Sequence, residues 1–182
     1  MNIRQLKKGE TALIQQAAEA IVAAFADSHP DAWPTYKDGL EEVEDCLNPE
    51  MVLLVALDDA GKLLGWIGGR EEYDFAWELH PLVVDPAAQR QGVGRALVAE
   101  LEKRVKAAGA NTIYLGSDDV TGQTSLSNVD LYPDPFDHIR NIKNLRNHPF
   151  EFYQKCGYTI TGVVPDANGL GKPDIMMAKR IN

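Results

Sequence analysis

The stretch VVDPAAQRQGVGRALVAELEKRV, residues 83–105, constrains the fold more than any other part of this 182-residue chain. It passes from β-branched residues through Asp85-Pro86 to two glycines, and then into Val93, Leu97, Leu101 and Val105 at helical spacing. A helix with that stripe packs on a sheet. Its start leaves backbone N–H groups without intrahelical partners, beside about half a positive charge. Glycine at the join lets an anion come close to the backbone, so the loop reads as a phosphate site. A Walker loop is excluded, because Gly94 is followed by Arg95 and Ala96 rather than by a Lys-Ser/Thr pair. A dinucleotide fingerprint is excluded too, since the third glycine position, counted from Gly92 and Gly94, holds Leu97.

Around this stretch, helix and strand signals alternate, which predicts a single α/β domain over 1–182. Leu13, Ala17, Ile21 and Phe25 recur every four residues and predict a core-facing helix over Thr11–Ala26. A shorter helix is predicted over Asp38–Leu47, with Leu40, Val43 and Leu47 on one side and Glu41, Glu42, Glu44 and Asp45 mostly on the other; SHPDAWPTY before it reads as a loop. Met51–Leu57 and Leu63–Gly69 form an antiparallel hairpin about DDAGK, and Ala76–Val84 is the next strand. NTIYL (111–115), YTITGVV and DIMMAKR read as further strands, and PFEFYQKCG as a short helix stopped by Gly157. Gly116–His148 exceeds ordinary loop lengths and is expected to be functional or partly helical.

Charge and cysteine usage narrow the classes. Lys and Arg number 18 against 27 Asp and Glu, a net charge of −9, which argues against a nucleic-acid surface and for cationic or small polar partners. The longest aliphatic run, MVLLVAL, falls far short of the roughly 20 residues that span a bilayer, and MNIRQLKKGE has no apolar core, so a soluble, cytoplasmic protein without a membrane partner is expected. Cys46 and Cys156 show no metal or disulfide spacing and are expected to be buried structural thiols. His29, His80 and His148 each precede proline without ligand spacing or a serine elbow, so they read as structural and no metal is expected.

Gln89-Arg90-Gln91-Gly92-Val93-Gly94 resembles the Q/R-x-x-G-x-G/A pyrophosphate loop of the GNAT acyltransferases, which bind acetyl-CoA. WELHPLVV (77–84), TIYLGSDD (112–119), NLRNHPFEFYQKCGY (144–158) and NGLGKPDIMMAK (168–179) are similar, in order and spacing, to segments of the aminoglycoside 6′-N-acetyltransferases within GNAT. The resemblance implies the GNAT fold: an α/β (α+β) architecture whose central mixed, mostly antiparallel sheet is flanked by helices and splays to admit the pantetheine arm. It implies acetyl-CoA as cosubstrate, a cationic aminoglycoside as acceptor and a homodimer. Cofactor contacts then fall on Leu82, Val83, Val84, Gln89, Arg90, Gln91, Gly92, Val93, Gly94 and Arg95.

The chemistry needs particular groups. An aminosugar ammonium with a pKa of about 10.4 is neutral in under about one part per thousand at pH 7, so a base helps its attack on a thioester. Glu78 is the candidate; the resemblance implies that it meets the aminoglycoside, by orienting the amine or by taking a proton through water. The resemblance places the backbone N–H of Leu82 at the thioester oxygen, where an aimed donor stabilises developing charge. It gives Tyr153 the position of a tyrosine that protonates the leaving thiolate, with a packed helix tyrosine as the alternative. Many members carry Asn seven residues before that tyrosine; here Arg146 stands there with Asn147 beside it, so that pantetheine contact does not carry over.

For a polycationic acceptor, Asp118 and Asp119 match the family's strand-end motif, ahead of Glu71, Glu72, Tyr73 and Asp74 in the turn before Glu78, and Trp33 and Tyr36 supply an apolar wall. Two alternatives stay open. One is a GNAT enzyme acting on a polyamine, another small amine or a protein lysine; the other is a non-catalytic CoA-binding module.

Overall fold

Strand pairing in this chain starts from tight reversals. In the computed structural model, which describes residues 1–182, the chain forms two compact units, Met1–Ile113 with Ile181–Asn182, and Tyr114–Arg180. The first contains β1 (Asn2–Gln5), α1 (Thr11–Phe25), α2 (Tyr36–Cys46), β2 (Met51–Leu57), β3 (Leu63–Tyr73), β4 (Ala76–Val84) and α3 (Val93–Ala107). β5 (Thr112–Asp118) leads into the second, followed by α4 (Pro135–Arg140), α5 (Phe150–Lys155), β6 (Thr159–Val164) and β7 (Asp174–Arg180). The strands number seven, ordered β1-β2-β3-β4 and then β5-β7-β6, and the register is antiparallel for β1/β2, β2/β3, β3/β4 and β6/β7. This is the helix-flanked, mostly antiparallel α/β class expected from the sequence.

In the first unit, the β2–β3 reversal is held by Asp58. Its backbone N–H donates to Lys62 O at 2.9 Å, while its carboxylate accepts from the N–H groups of Ala60 and Lys62 at 2.9 and 2.8 Å. Helices α1 and α2 then cover the apolar strands. Ala17, Ala18 and Ile21 of α1, Val43 of α2, Leu53 and Val55 of β2, Trp66 of β3 and Val83 of β4 form one buried cluster. Each large side chain there contributes roughly 1.5–3 kcal/mol by leaving water. The Trp66 indole escapes the cost of an unpaired buried donor by donating to Ala17 O at 3.0 Å.

Bare positions on β3 set how closely its neighbours approach. A Cβ on Gly69 would lie 2.8 Å from Leu101 of α3, and one on Gly68 would collide with the His80 carbonyl oxygen of β4. The stripe predicted on α3 is buried there: Val93, Leu97, Leu101 and Val105, joined by Val98.

The second unit turns the long irregular stretch into a closed structure. Segment 123–127 lies against 143–146: Thr124 bridges to Asn144, Ser125 N–H donates to Lys143 O at 3.0 Å, and Leu145 N–H to Gln123 O at 2.8 Å. α4 occupies part of the stretch, with Asp134 accepting from Asp137 N–H at 3.0 Å as its cap.

Several boundaries differ from the sequence-based expectation. β3 continues past Gly69 to Tyr73, because Arg70 and Glu71 still pair with Glu78 and Trp77. Tyr36 lies in the first turn of α2 rather than in the preceding loop, since Thr35 and Asp38 close a capping box around the helix start. Cys46 is buried, but Cys156 is half-exposed at the end of α5, so the expectation of two buried thiols holds for one.

Candidate active site

β4 carries Glu78 and Leu82, and its alternation decides what faces where. Trp77, Leu79, Pro81 and Val83 are buried, whereas Glu78, His80, Leu82 and Val84 are half-exposed on the alternate positions. Val83 is therefore a core residue by its side chain; only its backbone is left for the cofactor contact expected of it. The register with β3 passes from Gly69↔Leu79 to Ile67↔Leu82, so His80 and Pro81 oppose the single residue Gly68. This bulge re-aims the strand immediately before Leu82.

Glu78 is paired. Arg70, directly opposite on β3, reaches its Oε2 with Nε at 2.6 Å and Nη2 at 2.5 Å, and also holds Glu72 Oε1 at 2.7 Å. Both contacts land on one oxygen, which anchors that end of the carboxylate and leaves Oε1 outside the pair. The Glu78 side chain is 17% exposed, enough to meet a ligand and shielded enough for its charge to count.

The glycine loop follows β4 through the turn Pro86–Ala88, where Asp85 accepts from Ala87 N–H at 2.8 Å. Arg90 and Gly92 both adopt left-handed backbone, with φ of 60° and 87°, and bend the chain into α3. Gln91 braces the loop by donating to Ala87 O at 3.0 Å, and Gln89 donates to Val84 O at 3.4 Å. Val93, by contrast, is buried in the core and contributes only its N–H. A Cβ on Gly92 would meet nothing within 4 Å, and the first turn of α3 holds no acidic residue. Arg90 and Arg95 are both exposed. Successive first-turn N–H groups, two cations and an open approach fit the pyrophosphate of CoA. The residues that would hold it are the N–H donors of Val93, Gly94 and Arg95 and the side chains of Arg90 and Arg95.

Trp33 and Tyr36 separate in role. Trp33 is half-buried, packs on Phe25 with ring centroids 4.9 Å apart and donates its indole N–H to Glu42 Oε2 at 3.1 Å. Tyr36 is 42% exposed and Tyr73 68%, so both rings remain available to a ligand.

In the second unit, Asp118 and Asp119 also divide. Asp119 is fully buried, and its carboxylate accepts from Gln123 N–H at 2.6 Å, Thr124 N–H at 2.7 Å and the Ser127 hydroxyl at 2.6 Å. Burial raises its carboxyl, but these donors, Ser127 foremost, hold it below the usual carboxylate range. The expectation that Asp119 faces an acceptor is corrected: its oxygens are spent on closing the loop. Asp118 is half-exposed; its carboxylate accepts from the Asn168 amide and its carbonyl from buried His148 Nε2 at 3.1 Å. His148 Nδ1 accepts from Phe150 N–H at 3.2 Å, which leaves Nε2 as the protonated nitrogen.

Tyr153 is buried against Tyr158 and Phe152, with centroids 5.8 and 5.1 Å away. Burial, with Cys156 nearby, pushes its phenol well above the ordinary tyrosine value. It is therefore a protonated O–H at neutral pH, able to donate and reluctant to ionise. No cluster of three or more His, Cys, Asp or Glu side chains is arranged to hold a metal, and no helix is long and apolar enough to cross a membrane.

Sequence reasoning missed two residues here. Arg70 was readable in principle, because extending the β3–β4 hairpin places it opposite Glu78. Glu42 was not: on its helix it looks like one of four acidic residues on a solvated face.

A bulged strand running into a glycine loop and helix start, within this strand order, defines an acyl-CoA transferase of the GNAT kind. The chain belongs to the acetyltransferase (GNAT) family, whose pattern matches residues 18–133. Over its whole length the chain is similar to an aminoglycoside 6′-N-acetyltransferase solved in complex with coenzyme A, at 42% identity and a TM-score of 0.90, covering 98% of that protein. It is 31% identical over 55% of its length to aminoglycoside N(6′)-acetyltransferase type 1 of Stenotrophomonas maltophilia, spanning 71% of that enzyme. It is also 35% identical over 53% of its length to the mycothiol acetyltransferase of Stackebrandtia nassauensis, of whose length that match spans 33%.

Proposed function

We propose that the protein transfers the acetyl group of acetyl-CoA to the 6′-amino group of aminoglycoside antibiotics and thereby confers resistance. The observation that carries this reading is β4 itself. Glu78, a bulge and Leu82 follow one another on a strand that runs into the glycine loop, in a chain similar along its full length to an enzyme of that activity.

Bound acetyl-CoA supplies an activated acetyl thioester. The chain's own groups do the rest. Arg90, Arg95 and the first-turn N–H donors of α3 anchor the pyrophosphate, and the backbone of Leu82, Val83 and Val84 lies along the pantetheine. Glu78, held by Arg70, receives the 6′-ammonium and orients it, and a proton leaves the nitrogen toward Glu78 directly or through water. The Leu82 N–H donates to the carbonyl oxygen as the C–N bond forms and the C–S bond breaks. Tyr153, protonated at neutral pH, donates toward the departing sulfur. Tyr36, Tyr73 and Asp118 contact the acceptor's rings and charges, and Trp33 backs them; Asp119 acts at a distance, by holding the loop that follows Asp118. We further propose that the enzyme works as a homodimer in the cytoplasm.

Release of CoA thiol from acetyl-CoA, measured across a panel of aminoglycosides, tests the reading. Turnover restricted to acceptors with a 6′-amine, and absent for 6′-hydroxyl analogues, is expected. No turnover with any 6′-amine, combined with turnover on polyamines or protein lysines, would move the acceptor elsewhere within the family.

A further inference from the structure

α2 addresses the bulge of β4 with two residues one turn apart. Cys46 directs its thiol to the His80 carbonyl oxygen at 4.0 Å, and Glu42 places Oε1 3.5 Å from the His80 ring Nε2 and 3.7 Å from the Cys46 sulfur. The other oxygen of Glu42 accepts the indole N–H of Trp33 at 3.1 Å. One carboxylate, its side chain 20% exposed, thus bridges three segments: the loop leading to Tyr36, helix α2 and the strand that carries Glu78. Such a group is costly to bury without partners. Burial raises the Glu42 carboxyl, yet His80, Trp33 and Cys46 together hold it below the ordinary carboxylate range, so it stays ionised. The same burial, with Glu42 beside it, pushes the Cys46 thiol far up and keeps it inert.

His80 stands two residues from Glu78 at the same alternate positions of β4, with its ring 41% exposed. Its backbone is already fixed in the bulge against Gly68, so the ring is the part that Glu42 controls. Both segments tied by Glu42 end in groups assigned above to the acceptor: Trp33 and Tyr36 on one side, the exposed face of β4 on the other. None of its three partners belongs to the glycine loop.

From this arrangement we propose that Glu42 is a positioning residue for the acceptor. Acting through His80 and Trp33, it holds the aromatic loop and the Glu78 face of β4 in the geometry that binds the aminoglycoside, and it has no part in binding acetyl-CoA. The inference rests on the proposed aminoglycoside reaction.

Glu42→Gln keeps the shape and an acceptor for the indole but removes the charge toward His80. For this variant the aminoglycoside KM rises about tenfold, as the loss of one charge-assisted contact implies; kcat and the acetyl-CoA KM stay within about twofold. His80→Gln raises the same KM, and the double variant is no worse than the larger single effect, since both remove one coupling. Trp33→Phe, which keeps an aromatic ring on Phe25 and removes the indole N–H to Glu42, is expected to raise the same KM and leave the acetyl-CoA KM unmoved. An unchanged aminoglycoside KM in Glu42→Gln overturns the proposal; so does an equal rise in both KM values, which marks a merely structural carboxylate, and so does full additivity with His80→Gln. Wild-type enzyme inactive on 6′-amines sinks the reaction assignment instead, and that control is run first.

Discussion

Glu78 and Asp119 look alike in the sequence, each an acidic residue at a strand that leads toward a loop, yet the structure uses them in opposite ways. Asp119 is fully buried and gives its carboxylate to two backbone N–H groups and a hydroxyl of its own loop. Glu78 gives one oxygen to a single side-chain cation and keeps the other outside the pair. A fully buried carboxylate engaged by three donors of its own loop presents no face to a ligand. One held by an arginine has a fixed direction and an unspent acceptor. What separates these two acids is therefore the kind of donor rather than the burial alone.

The sharpest way to break this contrast is Asp119→Ala, which leaves three donors of the loop without their acceptor and is expected to cost about 3–5 kcal/mol in urea unfolding. The pH dependence has a definite sign. The folded-state carboxyl of Asp119 is depressed, so its stabilisation is present above its unfolded value of about 3.9 and is lost as pH falls through the lower folded value. Asp119→Asn should flatten that acid limb; an identical limb in both proteins would assign it to other carboxylates.

Glu78→Gln tests the other half. It should leave unfolding within about 1 kcal/mol of wild type and lower kcat/KM for a 6′-amine about a hundredfold. If the rate and its pH profile are unchanged, Glu78 has no catalytic part; if the profile is kept and only KM rises, it binds the amine without taking its proton. A smaller effect is expected at Gly92, where φ is 87°: Gly92→Ala should cost about 1 kcal/mol of stability and raise the acetyl-CoA KM several-fold, with the aminoglycoside KM unmoved. Smallest of all is Glu100→Gln on the outer side of α3. Glu100 pairs with Arg104 at 2.8 Å and Lys103 at 3.5 Å, and its loss should register at about 0.3–0.5 kcal/mol with no kinetic change. A larger stability loss at Glu100 than at Asp119 would reverse the ranking by donor type.

The sequence made β4 legible because its alternation survives translation into burial residue by residue, from Trp77 to Val83, and it made the α3 stripe legible for the same reason. β1 was not visible: Asn2–Gln5 is four residues long and mostly polar, and its pairing with β2 is a tertiary fact. Asp119 was misassigned because a charged residue after a strand is normally solvated, and nothing local announces that Gln123, Thr124 and Ser127 turn back onto it. Glu42 escaped notice because its partners His80 and Trp33 meet it only after α2 has packed, whereas Arg70 was within reach of anyone extending the hairpin by register.

The bare positions of β3 bear on how this enzyme can evolve. Because a single methyl on Gly68 or Gly69 meets backbone or α3, a change in acceptor range cannot start from these two positions. Adaptive change is channelled instead to exposed positions such as Tyr36 and, at the far end of the same strand, Tyr73. A mutational library selected on a poor substrate should therefore accumulate substitutions at the rim and return Gly68 and Gly69 untouched.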